Sequence, residues 1–148
     1  SIFWCPAINF AIETAMRLSE QLSLRWQDVD LTKRTAFLPA EITKGNRSRT
    51  VPLTDKAIQV LNEIPRHIKG KVFPMSLNYH NKGWRALIKR AGIVGLRWHD
   101  LRREATSRLF ERGLGITEVQ QITGHRTLQM LSTYTQHEAE KLVIKLRK

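Results

Sequence analysis

Most of the chain places apolar residues at the three- and four-residue intervals of a helix. Near the start, Ile8, Ala11, Ile12 and Ala15 recur at this spacing. Pro6 fits the opening turn of such a helix, where a backbone N–H would have no partner. We predict a first helix here and seven more along the chain, which are expected at about 19–24, 54–64, 78–91, 99–113, 117–124, 127–133 and 137–146.

Polar residues and glycine mark the ends of several predicted helices. Ser19 is expected to cap the second helix, because its hydroxyl can accept an unpaired backbone N–H. Thr117 and Gln120 have the spacing of a capping box. Gly113 is expected to adopt a left-handed conformation after the helix that starts at His99.

Three short extended runs interrupt the helical pattern. Residues 36–38, 41–43 and 50–52 are predicted strands, and Gly45 and Asn46 supply a turn within the basic stretch KGNRSR. The expected fold class is therefore mainly α with a small three-stranded antiparallel sheet, an α+β arrangement. No long linker, low-complexity tract or internal repeat divides the chain, which predicts a single domain over residues 1–148.

The charge balance favours a polyanionic partner. The 148 residues carry 25 Lys and Arg against 13 Asp and Glu, a formal net charge of +12. Nucleic acid and an anionic membrane surface both fit this excess. No apolar run approaches the ~20 residues that span a bilayer, and the first residues lack a signal-peptide pattern. With Cys5 as the single cysteine, we expect no disulfide, no zinc site and a reducing compartment.

Four short segments combine residue types that can bind and attack a phosphate. They are TAMRLSE at 14–20, ITKG at 42–45, HDLRRE at 99–104 and GHRTLQMLSTY at 124–134. His99 and Arg102 lie three residues apart, and Tyr134 follows His125 by nine. In this order and spacing the segments resemble the signature of the tyrosine recombinase, or phage integrase, family over about residues 7–140. The resemblance implies the DNA breaking and rejoining catalytic fold of that family.

The same resemblance implies a role for individual side chains. The implied catalytic set is Arg17, Lys44, His99, Arg102, His125 and the nucleophile Tyr134, with Glu20 as a supporting residue that orients Arg17. Ala15 stands where the family often has glycine, and Arg103 stands where a histidine often follows the second arginine. Each residue alone has an ordinary structural explanation, such as a surface ion pair or a packing tyrosine. Their joint occurrence in the family's order favours a catalytic site.

Phosphate chemistry explains why two arginines and a tyrosine belong together. Attack on a phosphodiester adds negative charge to its nonbridging oxygens, and the guanidiniums of Arg17 and Arg102 can bind those oxygens with paired N–H donors. His99 and Arg102 would share one helical face. With this charge neutralisation, no metal or other cofactor is expected.

Proton transfer accounts for the remaining three residues. A tyrosine hydroxyl is mostly protonated at neutral pH, so Tyr134 needs a base as a nucleophile. We interpret His99 as that base and His125 as a hydrogen-bond donor to the phosphate, although the residues alone leave open which histidine is the principal base. Lys44 is the expected acid for the leaving 5′-oxygen.

Arginines outside the catalytic set are predicted to bind the DNA backbone. These are Arg47, Arg49, Arg97 and Arg103. Arg47 and Arg49 are favoured because they flank the Lys44 turn, although a solvated charge explains any single one equally well. Such contacts position the duplex without reading its sequence.

The expected function is a site-specific recombinase or integrase acting on double-stranded DNA through a 3′-phosphotyrosine, without ATP. A type IB topoisomerase-like activity uses similar residues, but chain length and the segment at 124–134 favour the recombinase. An inactive DNA-binding module is disfavoured by the intact Tyr134, and a ribosomal or other RNA-binding protein explains only the charge.

The resemblance also implies partners beyond this domain. Family members carry an N-terminal core-binding domain that this chain lacks, and they act as tetramers on two DNA sites. The amphipathic stretch at 137–146 fits docking on a neighbouring protomer or on its own domain, and both remain open. A cytoplasmic, nucleoid-associated protein of prokaryotic or phage origin is expected, with no membrane partner.

Overall fold

The computed structural model describes residues 2–67, 70–135 and 139–147 of the chain. In these stretches, helices α1 to α7 span Trp4–Thr14, Leu18–Ser23, Asp55–Glu63, Leu77–Arg90, Trp98–Glu111, Ile116–Thr123 and Ala139–Leu146. Strands β1 to β3 span Val29–Asp30, Thr35–Leu38 and Arg49–Pro52. Short 3₁₀ segments span Trp26–Asp28, Ala40–Ile42 and Leu128–Tyr134. The predicted class, mainly helical with a small three-stranded antiparallel sheet, is confirmed.

The three strands form one meander in the order β1-β2-β3, with both pairs antiparallel. Ala36 of β2 lies opposite Val29 of β1 and Val51 of β3. Ala36 and Val51 are fully buried, so one face of the sheet closes the core. Besides the two predicted strands near residues 36–38 and 50–52, the sheet contains β1, which was not predicted.

The prediction of a strand at residues 41–43 is wrong. These residues lie in the 3₁₀ turn Ala40–Ile42 and at the start of the loop that follows it. The hydroxyl of Thr43 donates to the carbonyl of Arg47 at 2.9 Å and accepts the Arg47 N–H at 3.0 Å. Such local side-chain bonds satisfy the backbone without a strand partner, so the segment closes a tight loop instead.

The observed N-cap of α6 lies two residues before the predicted one. Gly115 precedes the helix, and its N–H donates to the Glu118 carboxylate at 2.8 Å, so the pairing of Thr117 with Gln120 is wrong. A carboxylate on the third residue after the cap is the usual acceptor for the N–H of the cap residue. Gly113, after α5, has the predicted left-handed conformation with φ 92°.

Helix α1 lies at the centre of the core, against α3 and α5. Its Phe10 is fully buried, and the Phe10 ring centroid lies 5.2 Å from that of Phe73. Trp98 opens α5 and packs edge-on against Trp84 and His80, at 5.0 and 4.4 Å between ring centroids. This aromatic contact anchors the end of α5 that carries His99 and Arg102.

The α7 helix is the one helix of the described stretches with no buried residue. Leu142, Val143 and Leu146 are 39–83% exposed. The predicted start of this helix at His137 lies outside the described residues. None of the helices in the described part of the chain combines the length and apolar content needed to cross a membrane.

Candidate active site

One open cleft of about 770 Å³ brings together the side chains predicted to be catalytic. It is lined by Arg17, Lys44, His99, Arg102, His125 and Tyr134, together with Arg103, Thr106, Ser107, Met130 and Thr133. The first six come from five separate segments of the chain, so only the tertiary fold places them around one space. The sequence did not single out Thr106, Ser107, Met130 or Thr133, because none belongs to a chemically distinctive pattern.

Arg17 is placed by a tight turn and by Glu20. Ala15 ends α1 in the left-handed conformation, with φ 58°, and Arg17 caps α2. The Arg17 N–H donates to the Glu20 carboxylate at 2.9 Å, and the Arg17 guanidinium lies 3.6 Å from it. Glu20, rather than the predicted Ser19, therefore satisfies the start of α2, and it also orients Arg17.

Glu20 is completely buried and held by a second arginine. Arg49 donates two hydrogen bonds to the Glu20 carboxylate, at 2.6 and 2.8 Å. Burial alone would raise the pKa of Glu20, but the hydrogen bonds and charge of Arg49, with the Arg17 N–H, lower it below its usual value. The carboxylate is therefore ionised at neutral pH.

Arg49 is largely buried, and its partners are other residues of the domain. Its side chain is 9% exposed, and its Nε donates to the Ile122 carbonyl at 2.9 Å. Arg49 thus joins β3 to Glu20 and to the end of α6. Each of its three guanidinium nitrogens makes an internal hydrogen bond, and the side chain also borders a pocket of about 530 Å³.

Arg102 is held by backbone carbonyls from two other segments of the chain. Only 4% of the residue is exposed, and its Nη1 donates to the carbonyls of Ala15 and Thr123, the latter at 2.8 Å. Burial and the nearby Arg17 lower the pKa of Arg102 to about 9, so the guanidinium keeps its charge at neutral pH. The left-handed turn at Ala15 and the end of α6 therefore fix the second arginine.

Both histidines of the cleft are neutral at pH 7. Burial, followed by the charges of Arg102 and Arg17, lowers the pKa of His125 to about 4. Burial and the charges of Arg102 and Arg103 also lower the pKa of His99 below 6.5. A neutral imidazole can accept a proton and can donate one N–H, which are the two roles predicted for these residues.

Tyr134 ends the 3₁₀ turn Leu128–Tyr134 and lines the cleft. Its ring stacks on Phe110 of α5, with 6.0 Å between ring centroids and 17° between the planes. Leu131 in the same turn is fully buried and anchors the segment. The tyrosine is half-buried, and its ring is supported on one side while the residue borders the open cleft.

A second pocket of about 530 Å³ adjoins the cleft and shares Arg17 and His125 with it. Arg47 and Arg126 line this pocket, and both are exposed. Arg126 was not predicted, although its place directly after His125 was a usable signal. The pocket extends the positive surface of the cleft toward the loop that carries Lys44.

The model of the phage integrase family matches residues 5–141. The chain belongs to the phage integrase family. The family resemblance predicted from the four motifs is therefore confirmed.

The relatives of this phage integrase domain come from bacteria, archaea and phages. It is 43% identical over 139 residues to the shufflon-specific DNA recombinase of Escherichia coli, covering 93% of this chain and 36% of that protein. It is 33% identical over 144 residues to the integrase of Salmonella phage P22, covering 86% and 37%. The chain thus spans little more than a third of these two curated relatives.

Solved structures share the fold of the phage integrase domain. The Tn1549 transposon integrase in complex with a circular intermediate DNA has a TM-score of 0.76 at 18% identity, over 96% of this chain and 57% of that one. The catalytic domain of bacteriophage HP1 integrase has a TM-score of 0.66 at 22% identity, over 87% and 71%.

The remaining predicted DNA contacts of this integrase domain lie at the surface. Arg97 and Arg103 flank Asp100 at 4.0 Å each, and both side chains are more than half exposed. Arg103 also lines the cleft. Among the described residues, no group of three or more His, Cys, Asp or Glu could hold a metal ion.

Proposed function

We propose that this domain cleaves and rejoins duplex DNA through a covalent bond between Tyr134 and a 3′-phosphate. The observation that carries the proposal is the cleft itself, in which one tyrosine, two arginines, two neutral histidines and a lysine surround a space large enough for a phosphodiester. The named relatives, a shufflon-specific recombinase and a phage integrase among them, support the same chemistry.

The arginines supply the charge that a phosphate transition state needs. Arg17 and Arg102 border the same cleft, and each is held by internal acceptors before any substrate arrives. Donors that are already oriented toward developing negative charge lower the barrier, and losing one typically costs about 10²–10³ in rate. Two preoriented guanidiniums therefore favour attack at phosphorus by an oxygen nucleophile.

The bond changes balance without an external energy source. The Tyr134 oxygen attacks phosphorus while its proton passes to His99, and the bond from phosphorus to the 5′-oxygen breaks. That oxygen takes a proton from Lys44, which gives a 3′-phosphotyrosine and a free 5′-hydroxyl. Because one phosphodiester replaces another, the reverse attack by a 5′-hydroxyl reseals the strand without ATP.

A nicked duplex that loses a short fragment on cleavage tests this assignment. The unchanged domain should form a covalent protein–DNA adduct that survives denaturation, and Tyr134→Phe should form none because it lacks the attacking oxygen. Phe110 supports the tyrosine ring from one side only, so the phenylalanine variant should fold normally. Equal adduct in both proteins would exclude Tyr134 as the nucleophile.

A second protomer is the proposed partner of α7. The described residues of this helix are all exposed, and Leu142, Val143 and Leu146 form an apolar stripe that the rest of the domain does not cover. Amphipathic helices of this kind dock in grooves of other proteins.

Double-stranded DNA is the other proposed partner. Exposed Arg47 and the exposed surface of α5 would contact it, in the cytoplasm or at the nucleoid.

Sedimentation of the domain with a DNA duplex tests the role of α7. Leu142→Glu should reduce the assembly of protomers on DNA, because it places a charge within the apolar stripe. Ile144→Glu is the matched control, since Ile144 lies on the opposite side of the helix and is 70% exposed. An equal effect of the two variants would contradict docking through the stripe.

A further inference from the structure

His125 has a neighbour that the phosphate chemistry described above does not use. Thr123 ends α6 and is fully buried, and its Oγ1 lies 2.6 Å from Nδ1 of the His125 ring. The same oxygen accepts the backbone N–H of His125 at 3.4 Å. The buried hydroxyl of Thr123 thus contacts both the ring and the backbone of His125.

The surrounding donors determine which ring nitrogen carries the proton. Nη2 of Arg102 lies 3.5 Å from the same Nδ1, and a guanidinium offers only donors. Because Arg102 can only donate toward Nδ1, that nitrogen must be an acceptor, and the Thr123 hydroxyl, which can donate as well as accept, donates its proton to it at 2.6 Å. Nδ1 therefore acts as the acceptor for both neighbours, and the ring proton resides on Nε2.

We infer that Thr123 is a positioning residue that holds His125 in the Nε2–H tautomer. Its catalytic consequence rests on the proposed function, in which His125 donates a hydrogen bond to the phosphate. The burial and charges that lower the pKa of His125 to about 4 keep the ring neutral at pH 7. Only one of its nitrogens can then donate, and the bond made at the other nitrogen selects which one.

Thr123 has a second link to the same group of residues. Its carbonyl accepts Nη1 of Arg102 at 2.8 Å, so its backbone holds the arginine while its side chain holds the histidine. The two functions are separable by mutation, because a side-chain substitution leaves the carbonyl in place. Valine matches threonine in shape and removes only the hydroxyl.

Nitrogen-15 NMR of the imidazole rings tests the inference directly. The signals of His125 are identified by their loss in His125→Asn. In the unchanged protein at pH 7, Nδ1 should resonate as an unprotonated nitrogen and Nε2 as a protonated one. In Thr123→Val the two signals should move toward each other as the second tautomer becomes populated, and Thr123→Ser should restore them. A protonated Nδ1 in the unchanged protein would overturn the inference whatever the variants do.

Thr106→Val is the control for loss of a buried hydroxyl. Thr106 is also fully buried, but its hydroxyl donates to the Arg102 carbonyl within α5. This variant should leave the His125 nitrogen signals unchanged. If it shifts them as far as Thr123→Val does, a general disturbance of the core explains the result and the inference fails.

DNA cleavage supplies the second measurement. Thr123→Val should form the adduct about tenfold more slowly, the effect of losing one well-placed hydrogen bond, and Thr123→Ser should recover most of the rate. An unchanged rate in Thr123→Val would reject a role in catalysis. If the unchanged domain forms no adduct at all, the proposed function fails, but the NMR result still decides the tautomer.

Discussion

Replacing Arg49 by methionine separates two explanations of its positive charge. A DNA contact would matter only when DNA is bound, whereas the structure places the guanidinium against a buried carboxylate. Arg49→Met would remove the hydrogen bonds of 2.6 and 2.8 Å to Glu20 and the bond of 2.9 Å to the Ile122 carbonyl. Methionine keeps the length of the side chain, so the charge and its donors are the main loss.

The expected cost follows from what remains around Glu20. The carboxylate stays fully buried, and only the Arg17 N–H at 2.9 Å and the Arg17 guanidinium at 3.6 Å still face it. Breaking a buried ion pair costs about 3–5 kcal/mol in the free energy of unfolding. Because Arg17 compensates in part, we expect about 3 kcal/mol, or a fall in Tm of about 6–12 °C for a domain of this size.

Two measurements distinguish the explanations, with Arg47→Met as the matched control. Arg47 is exposed in the loop just before β3, so its loss should change the free energy of unfolding by less than about 0.5 kcal/mol. When the logarithm of the DNA-binding constant is plotted against the logarithm of the salt concentration, loss of one phosphate contact should make the slope shallower by about 1. We expect that reduction for Arg47→Met alone. An Arg49→Met protein of normal stability with the reduced slope would refute the structural role.

Three further predictions concern single residues of the site. Gly124→Ala should destabilise the fold by about 1–3 kcal/mol in urea unfolding, because φ is 75° and a Cβ would lie 2.7 Å from the Arg49 guanidinium. Gly113→Ala has open space around it, so only the left-handed φ should matter, at about 1 kcal/mol; equal costs would contradict the clash. His125 protonates less readily in the folded state, with a pKa of about 4. The unfolded chain therefore binds more protons between pH 6.5 and 4, and stability should fall as pH drops through that window, by about 1–2 kcal/mol after solvent screening. His125→Asn should remove this part of the slope, and an unchanged slope would be inconsistent with it. Lys44→Ala should slow cleavage about 10²–10⁴-fold, and a substrate with sulfur at the 5′ position should recover the rate, because a thiolate leaves without a proton; no recovery would exclude Lys44 as the acid.

Local sequence patterns correctly predicted those features that depend on contacts between residues close together in the chain. The helical spacing of Ile8, Ala11 and Ile12 predicted α1, and the left-handed Gly113 was expected from its place after a long helix. The sequence failed where two local explanations compete. Residues 41–43 have the composition of a strand, but the hydroxyl of Thr43 closes a loop with Arg47 and removes the need for a strand partner.

The sequence by itself determined the family, the fold class and the identity of the six side chains predicted to be catalytic, because their chemistry and order along the chain can be read without coordinates. Only the tertiary structure decided that Arg49 serves the buried Glu20, and that a backbone turn at Ala15 receives Arg102. These contacts join residues 29 and 87 positions apart. No local pattern encodes these contacts, because whether an arginine is buried against a partner or exposed to solvent depends on how distant segments pack together.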